Sequence, residues 1–175
     1  MLVEVKVQSL GLDRTTNTPV VILQEKGGSR VLPIWIGPGE ASAIAMQLAD
    51  WSFSRPLTHD LLVSVMKGLG GILDRVVISR VVENTYYAEL IIHRDEDLFS
   101  VGARPSDSLA IALRVEASIF SDETLLEDVS VEIAEEESVS LDPDSASPLD
   151  PGEAAQNLKD YLRKHNPEDF GRFTP

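Results

Sequence analysis

The segment GPGEASAIAM (37–46) is followed 67 residues later by the similar segment RPSDSLAIAL (104–113), and this repeat is the strongest indication of how the chain folds. The alignment extends without a gap over residues 17–46 and 84–113, placing Pro38 against Pro105 and Glu40 against Asp107. Each copy has the pattern of a strand, a polar turn, a second strand and a helix that begins at proline, whose fixed φ suits the first helical turn. The sequence therefore predicts an internal duplication of a strand-strand-helix unit with an approximate two-fold relation between the copies.

The segments around the two copies complete the predicted architecture. An apolar strand precedes each copy, at residues 2–12 and 72–82, and an amphipathic helix at 58–69 joins them. The runs VVIL (20–23) and VVIS (76–79) are continuously apolar or nearly so, which is typical of interior strands buried on both faces. We therefore predict an α+β fold with a mixed, mainly antiparallel sheet and packed helices.

The charge of the chain is concentrated at its C-terminal end. The 175 residues carry a formal net charge of −14, and residues 122–175 hold 15 of the 29 acidic side chains but only 4 of the 15 basic ones. Acidic segments rich in Pro and Ser cannot bury enough apolar surface to order themselves. We predict a domain at 1–133, an acidic Pro/Ser linker at 134–153, and a short amphipathic helix with a tail at 154–175.

Composition also excludes several classes of protein. The chain has no cysteine, so it can form neither a disulfide framework nor a thiolate metal site, which fits a reducing compartment. Its N-terminus alternates charged and apolar residues like a strand, and its longest apolar run, at 61–73, is too short to cross a bilayer. We expect a soluble, cytoplasmic protein with no membrane partner.

The segment RPLTHDLL (55–62) concentrates polar side chains at the junction between the copies. Thr58 is a good N-cap, and Asp60 would then complement the positive end of the helix dipole. Helix formation gives no reason for Arg55 or His59. These two residues either take part in chemistry or belong to a buried Arg–Asp or His–Asp link that ties the two copies together.

Four blocks of sequence together resemble the bifunctional nuclease domain family, which is named for members that degrade both DNA and RNA. The blocks are VLPIWIGPGEASAIAMQLA, RPLTHDLL, TYYAEL and ARPSDSLAIALR, and the resemblance extends over about residues 1–125 in the family's order and spacing. It implies a compact α+β subunit, a wedge-shaped homodimer and a groove that serves as the active site.

Cleavage of a phosphodiester needs a group that activates water and cations that neutralise the developing charge, often with two Mg²⁺ ions held by carboxylates. The polar residues that match the family are of these types. The candidates are Glu40, His59, Asp60 and Asp107 as catalytic residues, Arg55 and Arg104 as substrate-binding residues, and Glu40, Asp60 and Asp107 as ligands of Mg²⁺ or Mn²⁺. A carboxylate in a first helical turn is also expected for the helix dipole alone, and that alternative stays open for Glu40 and Asp107.

We predict a metal-assisted nuclease that hydrolyses phosphodiester bonds of DNA or RNA, with nucleic acid as its partner. The alternative is a non-catalytic dimeric module whose groove binds a protein or a small ligand. Residues 1–121 have a formal net charge of −3, and the sequence shows no stripe of basic residues. Both features weigh against a nuclease, which must bind phosphates. Trp35, Tyr86 and Tyr87 lie on predicted strands, where we expect them to pack in the core or on a dimer surface rather than stack on bases.

Overall fold

Seven strands form one mixed sheet whose order is symmetric about its middle strand. The structure is a computed structural model that describes residues 1–13 and 15–127. The sheet order is β3-β2-β1-β7-β4-β5-β6, and every pairing is antiparallel except the parallel pairing of β4 with β7. The strands are β1 (Leu2–Asp13), β2 (Thr18–Glu25), β3 (Val31–Trp35), β4 (Ile72–Val82), β5 (Thr85–Arg94), β6 (Asp97–Ala103) and β7 (Ser118–Asp122). The helices are α1 (Pro38–Leu48), α2 (Thr58–Gly68) and α3 (Pro105–Val115), and residues 123–127 form a further helical turn.

The predicted α+β class, the mainly antiparallel sheet and the internal duplication are all confirmed. α1 and α3 each contain 11 residues and begin at the aligned prolines, 67 residues apart. The strand order β1-β2-β3 in the first half is repeated as β4-β5-β6 in the second, with β7 inserted between the halves. The predicted linker at 134–153 and the helix and tail at 154–175 lie outside the described residues.

The helices cover one face of the sheet, and the expectation of strands buried on both faces is wrong. Val21 and Leu23 of β2 are fully buried while Val20 and Ile22 between them are half-buried. β4 alternates in the same way, with Val76 buried and Val77 half-buried. Both strands lie inside the sheet, but the packed helices bury only alternate residues, as in a sheet with one covered face.

α3 lies at the centre of the helical layer. It contacts α1, α2, β4 and β5, and seven of its 11 residues are buried. The small residues Ser108, Ala110 and Ala112 allow the neighbouring elements to approach closely, while Leu109 and Ile111 fill the core. Burying a side chain the size of leucine stabilises a fold by about 1.5–3 kcal/mol, so α3 anchors the helices that carry the candidate site.

α2 is only loosely covered by the rest of the described chain. Val63 is its one buried residue, whereas Leu61, Leu62, Val65 and the following Leu69 are exposed. We call these four exposed residues the α2 face. No helix among the described residues is long and apolar enough to cross a bilayer.

The two repeated helices end differently, which gives a test of the fold. α3 ends at Glu116, whose φ of 56° is left-handed, whereas α1 ends at Ala49 with an ordinary φ of −87°. Glycine reaches the left-handed region without the steric cost that glutamate bears there. Glu116→Gly is therefore expected to stabilise the protein by about 0.5–1 kcal/mol, and the melting temperature should rise by about 1–4 °C for a chain of this size.

Ala49→Gly is the matched control, because its backbone needs no left-handed conformation. It should lower the melting temperature, since glycine has the greater conformational freedom to lose on folding. Equal shifts in the two variants would show that the left-handed geometry of Glu116 carries no energetic cost.

Candidate active site

Arg104 joins the N-termini of the two repeated helices. It is the N-cap residue of α3, and its guanidinium contacts Glu40 Oε1 in the first turn of α1 at 2.8 Å. The same guanidinium donates hydrogen bonds to Asp107, from Nε to Oδ2 at 2.8 Å and from NH2 to Oδ1 at 3.2 Å. The internal duplication thus brings Glu40 and Asp107, at equivalent positions, onto one shared cation.

His59 enters the same network from α2. Its Nε2 lies 3.3 Å from Asp107 Oδ1, and its side chain is mostly buried. A carboxylate oxygen is an acceptor, so this hydrogen bond requires the proton on Nε2 and leaves Nδ1 as the acceptor of a neutral ring. The structure therefore brings four of the candidate residues, Glu40, His59, Arg104 and Asp107, into one connected chain of contacts.

Two of these groups have shifted pKa values, and both shifts favour the charged form. Burial raises the pKa of the Asp107 carboxyl, but the hydrogen bonds from Arg104 and His59 outweigh burial and hold that pKa below its usual value. The hydrogen bond to Asp107 in turn raises the pKa of Arg104 above that of a free arginine. Near neutral pH the network therefore contains an ionised Asp107 beside a fully charged Arg104.

Asp60, the neighbour of His59, contacts a different set of partners. Its Oδ1 accepts a hydrogen bond from Arg114 Nε at 2.5 Å, and its Oδ2 accepts one from the Leu57 backbone N–H at 2.9 Å. Arg114 is only 6% exposed and also donates to the Ala110 carbonyl at 2.8 Å. Burial raises the pKa of Asp60, but the hydrogen bonds from Arg114 and Leu57 lower it by more. This buried Arg–Asp link ties α2 to the second copy.

The remaining predictions for residues 55–62 need correction. Thr58 is not the N-cap of α2, because Thr58 is already the first residue of the helix and Leu57 occupies the cap position. The Asp60 carboxylate, not the threonine hydroxyl, stabilises this helix start. Arg55 is exposed and makes no ion pair within the described part of the chain, so the structure does not bring it into the network.

The predicted metal ligands do not form one group. Within residues 1–13 and 15–127, no three acidic, histidine or cysteine side chains are arranged to hold a metal ion. The oxygens of Asp60 are engaged by Arg114 and Leu57, and the Arg104 guanidinium lies between Glu40 and Asp107. The set of Glu40, Asp60 and Asp107 does not fit a preformed Mg²⁺ or Mn²⁺ site, and use of either ion stays a prediction.

Two adjoining open grooves, of about 500 and 250 Å³, meet at Arg104. Glu40 lines the smaller groove, but neither His59 nor Asp107 lines either one; both connect to the grooves through Arg104. Asp107 and His59 therefore hold Arg104 in place from behind the grooves, while Arg104 and Glu40 line them.

The grooves also contain the three aromatic residues that were expected to pack in the core or on a dimer surface. Tyr86 is partly buried against the core, whereas Trp35 and Tyr87 are 51% and 40% exposed, so the core is ruled out for these two and a dimer surface stays a prediction. Each ring lines a groove, Trp35 the smaller and Tyr87 the larger, and Arg80 lies beside Tyr87. Strand position alone could not reveal this, because the open face of the sheet is not apparent from the sequence.

Comparison with known proteins identifies the family of this chain. A sequence profile of the bifunctional nuclease domain matches residues 21–134. An uncharacterized protein of Mycobacterium tuberculosis strain H37Rv is 39% identical over 167 residues, which cover 95% of this chain and 97% of that protein. Proteins named Bifunctional nuclease 1 in Oryza sativa subsp. indica and Bifunctional nuclease in Oryza minuta are each 24% identical over 110 residues, covering 61% of this chain and 33% of each rice protein. The chain belongs to the bifunctional nuclease domain family.

The Arg114–Asp60 link predicts a measurable contribution to the stability of the fold. Arg114→Ala removes the partner of a partly buried carboxylate, and because Asp60 keeps some contact with water we expect a loss of about 2–3 kcal/mol. Arg55→Ala, at an exposed arginine that has no ion pair among residues 1–13 and 15–127, should change stability by less than about 0.5 kcal/mol. Urea unfolding of both variants measures the difference, and equal midpoints would show that the buried link contributes nothing.

Proposed function

We propose that this protein is a nuclease that hydrolyses phosphodiester bonds of DNA or RNA where its two grooves meet at Arg104. Membership of the bifunctional nuclease domain family and the similarity to the rice bifunctional nucleases support this proposal. The family resemblance alone leaves open which residues act, so the roles below rest on the contacts of this chain.

The placement of Arg104 is the observation that carries the proposal. Its side chain is 66% exposed at the junction of the grooves, yet two carboxylates hold its guanidinium at the N-termini of two helices. A planar guanidinium with several N–H donors matches the oxygens of a phosphate, and helix N-termini add further positive potential. A phosphate that enters the groove therefore meets an arginine that is already oriented.

The neighbouring residues supply the other roles. We propose that Glu40, which lines the smaller groove, accepts a proton from the attacking water as its oxygen bonds to phosphorus, while Arg104 neutralises charge on the phosphoryl oxygens. The P–O bond to the leaving sugar oxygen breaks, and that oxygen takes up a proton from solvent. Asp107 orients Arg104, and His59 orients Asp107. Arg55, which is exposed and close in sequence to His59, is available for a more distant phosphate, whereas Asp60 maintains the position of α2.

Substitutions in the groove should separate activity from stability. Arg104→Ala is expected to reduce cleavage of labelled DNA or RNA by about 100-fold or more, since removing one donor to a developing charge has effects of that size in other enzymes. Glu40→Gln should reduce it by about 100-fold or more through loss of the proton acceptor. Arg94→Ala, at an arginine that lines neither groove, is the matched control and should retain wild-type cleavage.

Each preparation should be assayed with Mg²⁺, with Mn²⁺ and with EDTA, on single-stranded and double-stranded substrates. Loss of cleavage in EDTA, with recovery on adding either ion, would support the predicted metal dependence. Equal trace cleavage by the wild type and a Glu40→Ala/Asp107→Ala double variant would assign the activity to a contaminant and end the nuclease proposal.

One observation favours the alternative of a non-catalytic binding module. Only Glu40 and Arg104 of the network line a groove, and the predicted metal ligands do not form one group. Such a surface can hold an anionic ligand without cleaving it. Saturable binding of a nucleic acid that stays intact with Mg²⁺, Mn²⁺ and EDTA would favour the module over the nuclease.

We further propose that the protein is a homodimer that buries the α2 face. A helix with apolar residues on most of its sides is normally covered, but the described part of the chain leaves Leu61, Leu62, Val65 and Leu69 exposed. A contiguous apolar surface of this kind marks an interaction site, and a two-fold axis lets the same face pair with itself.

Light scattering tests the dimer and its surface together. Wild-type protein at micromolar concentration should have the mass of two chains, and Leu62→Glu on the α2 face should shift it to the mass of one. Leu98→Glu, at an exposed leucine on β6, is the control and should leave the dimer intact. Wild-type protein that stays monomeric as its concentration rises would contradict the proposal.

A further inference from the structure

The two grooves that meet at Arg104 share part of their lining. Thr85, Tyr86 and Arg104 line both of them, so the larger and the smaller groove adjoin at these residues. Trp35 lies in the smaller groove and Tyr87 in the larger. We call this combined surface the aromatic groove.

The two exposed rings of the aromatic groove are held by polar partners. The Trp35 indole N–H donates a hydrogen bond to Asp13 Oδ2 at 3.0 Å. The Arg80 guanidinium lies 4.7 Å from the centre of the Tyr87 ring, which is a cation–π contact. Because each large ring is fixed yet remains about half exposed, each offers a flat surface on which a second planar group can stack without first being ordered.

The charges of the aromatic groove limit which ligand it can take. Its lining contains two arginines, Arg80 and Arg104, and two carboxylates, Glu40 and Glu89. A duplex is bound chiefly through many phosphate contacts, which a groove with two cations and no net charge does not provide. Single-stranded nucleic acid exposes its bases, so stacking can supply the affinity that the missing cations do not.

We propose that the aromatic groove binds single-stranded DNA or RNA, with bases stacked on Trp35 and Tyr87 and an intervening phosphate on Arg104. This inference rests on the proposed function, because it names the substrate class of the same site. A single phosphate contact predicts a weak salt dependence, with the logarithm of the binding constant falling against that of salt concentration with a slope of about −0.7.

The binding experiment uses the full chain and fluorescein-labelled oligo-dT and oligo-U of about 12 nucleotides, a length within the site sizes of known single-strand-binding folds. EDTA is present, and a gel confirms that the probe stays intact. Anisotropy should show binding of at least one strand type, and a duplex of the same length should bind at least about tenfold more weakly. Preference for oligo-dT or oligo-U identifies which strand the groove accepts.

Matched substitutions test the stacking residues. Trp35→Ala and Tyr87→Ala should each weaken binding by about tenfold, whereas Trp35→Tyr, which keeps a stacking ring, should restore most of it. Phe99→Ala is the control, because Phe99 is also 40% exposed and also has an arginine over its ring, but lines neither groove. Melting temperatures confirm that each variant is folded.

Tryptophan fluorescence gives a direct readout of stacking. The chain contains two tryptophans, so Trp51→Phe leaves Trp35 as the single emitter. Stacking of a base on Trp35 should quench its emission with the same midpoint as the anisotropy change. No quenching, equal affinity for the duplex, or equal effects of Tyr87→Ala and Phe99→Ala would overturn the inference.

The outcomes separate this inference from the proposed function. If the protein cleaves nucleic acid but Trp35→Ala and Tyr87→Ala bind and cleave like the wild type, the stacking groove is rejected and the nuclease stands. If single strands bind with quenching of Trp35 but stay intact in every metal condition, the nuclease is rejected and the stacking groove stands.

Discussion

One guanidinium shared by two carboxylates is the contact on which the site depends. Arg104 occupies the N-cap of α3, where Ser, Thr, Asp or Asn is preferred and where the helix dipole disfavours a positive charge. Glu40 and Asp107 offset this cost because the duplication places both of them in range of Arg104. Helix formation disfavours Arg104 at this position, yet partners from both repeats keep it there and leave it exposed to solvent. A local conflict of this kind is expected at a functional site.

Two consecutive residues of α2 attach that helix to the two ends of α3. Asp60 pairs with the buried Arg114 near the end of α3, while His59 reaches Asp107 at its beginning. α2 is therefore attached to α3 at two points along α3, although little of the apolar surface of α2 is buried. The stability of α2 and the geometry of the site are coupled through α3, so a substitution at Asp60 or Arg114 can change activity without contacting a substrate.

The parts of the fold with strong local patterns could be predicted from the sequence. The aligned prolines defined α1 and α3, and the 67-residue offset indicated that Glu40 and Asp107 are equivalent. β7 could not be predicted, because its position between β1 and β4 depends on pairings distant in sequence and not on its own five residues. Residue types suggested the polar cluster, but they could not show that Asp60 pairs with Arg114 and not with the cluster. They also could not show that Trp35 and Tyr87 line a groove, because both features depend on how the helices pack on the sheet.

The central position of β7 also constrains how this chain folds. β1, β2 and β3 pair with near neighbours in sequence, as do β4, β5 and β6, so each half-sheet can assemble soon after it is synthesised. Within the described residues the half-sheets join only through β7, which pairs with β1 on one side and β4 on the other. Until residues 118–122 emerge from the ribosome, a nascent chain therefore carries two unpaired edges, on β1 and β4, besides the outer edges on β3 and β6. The β1 and β4 edges are then open to pairing with other chains. The two half-sheets can therefore join into a single sheet only after this one short strand has been synthesised and has paired with both.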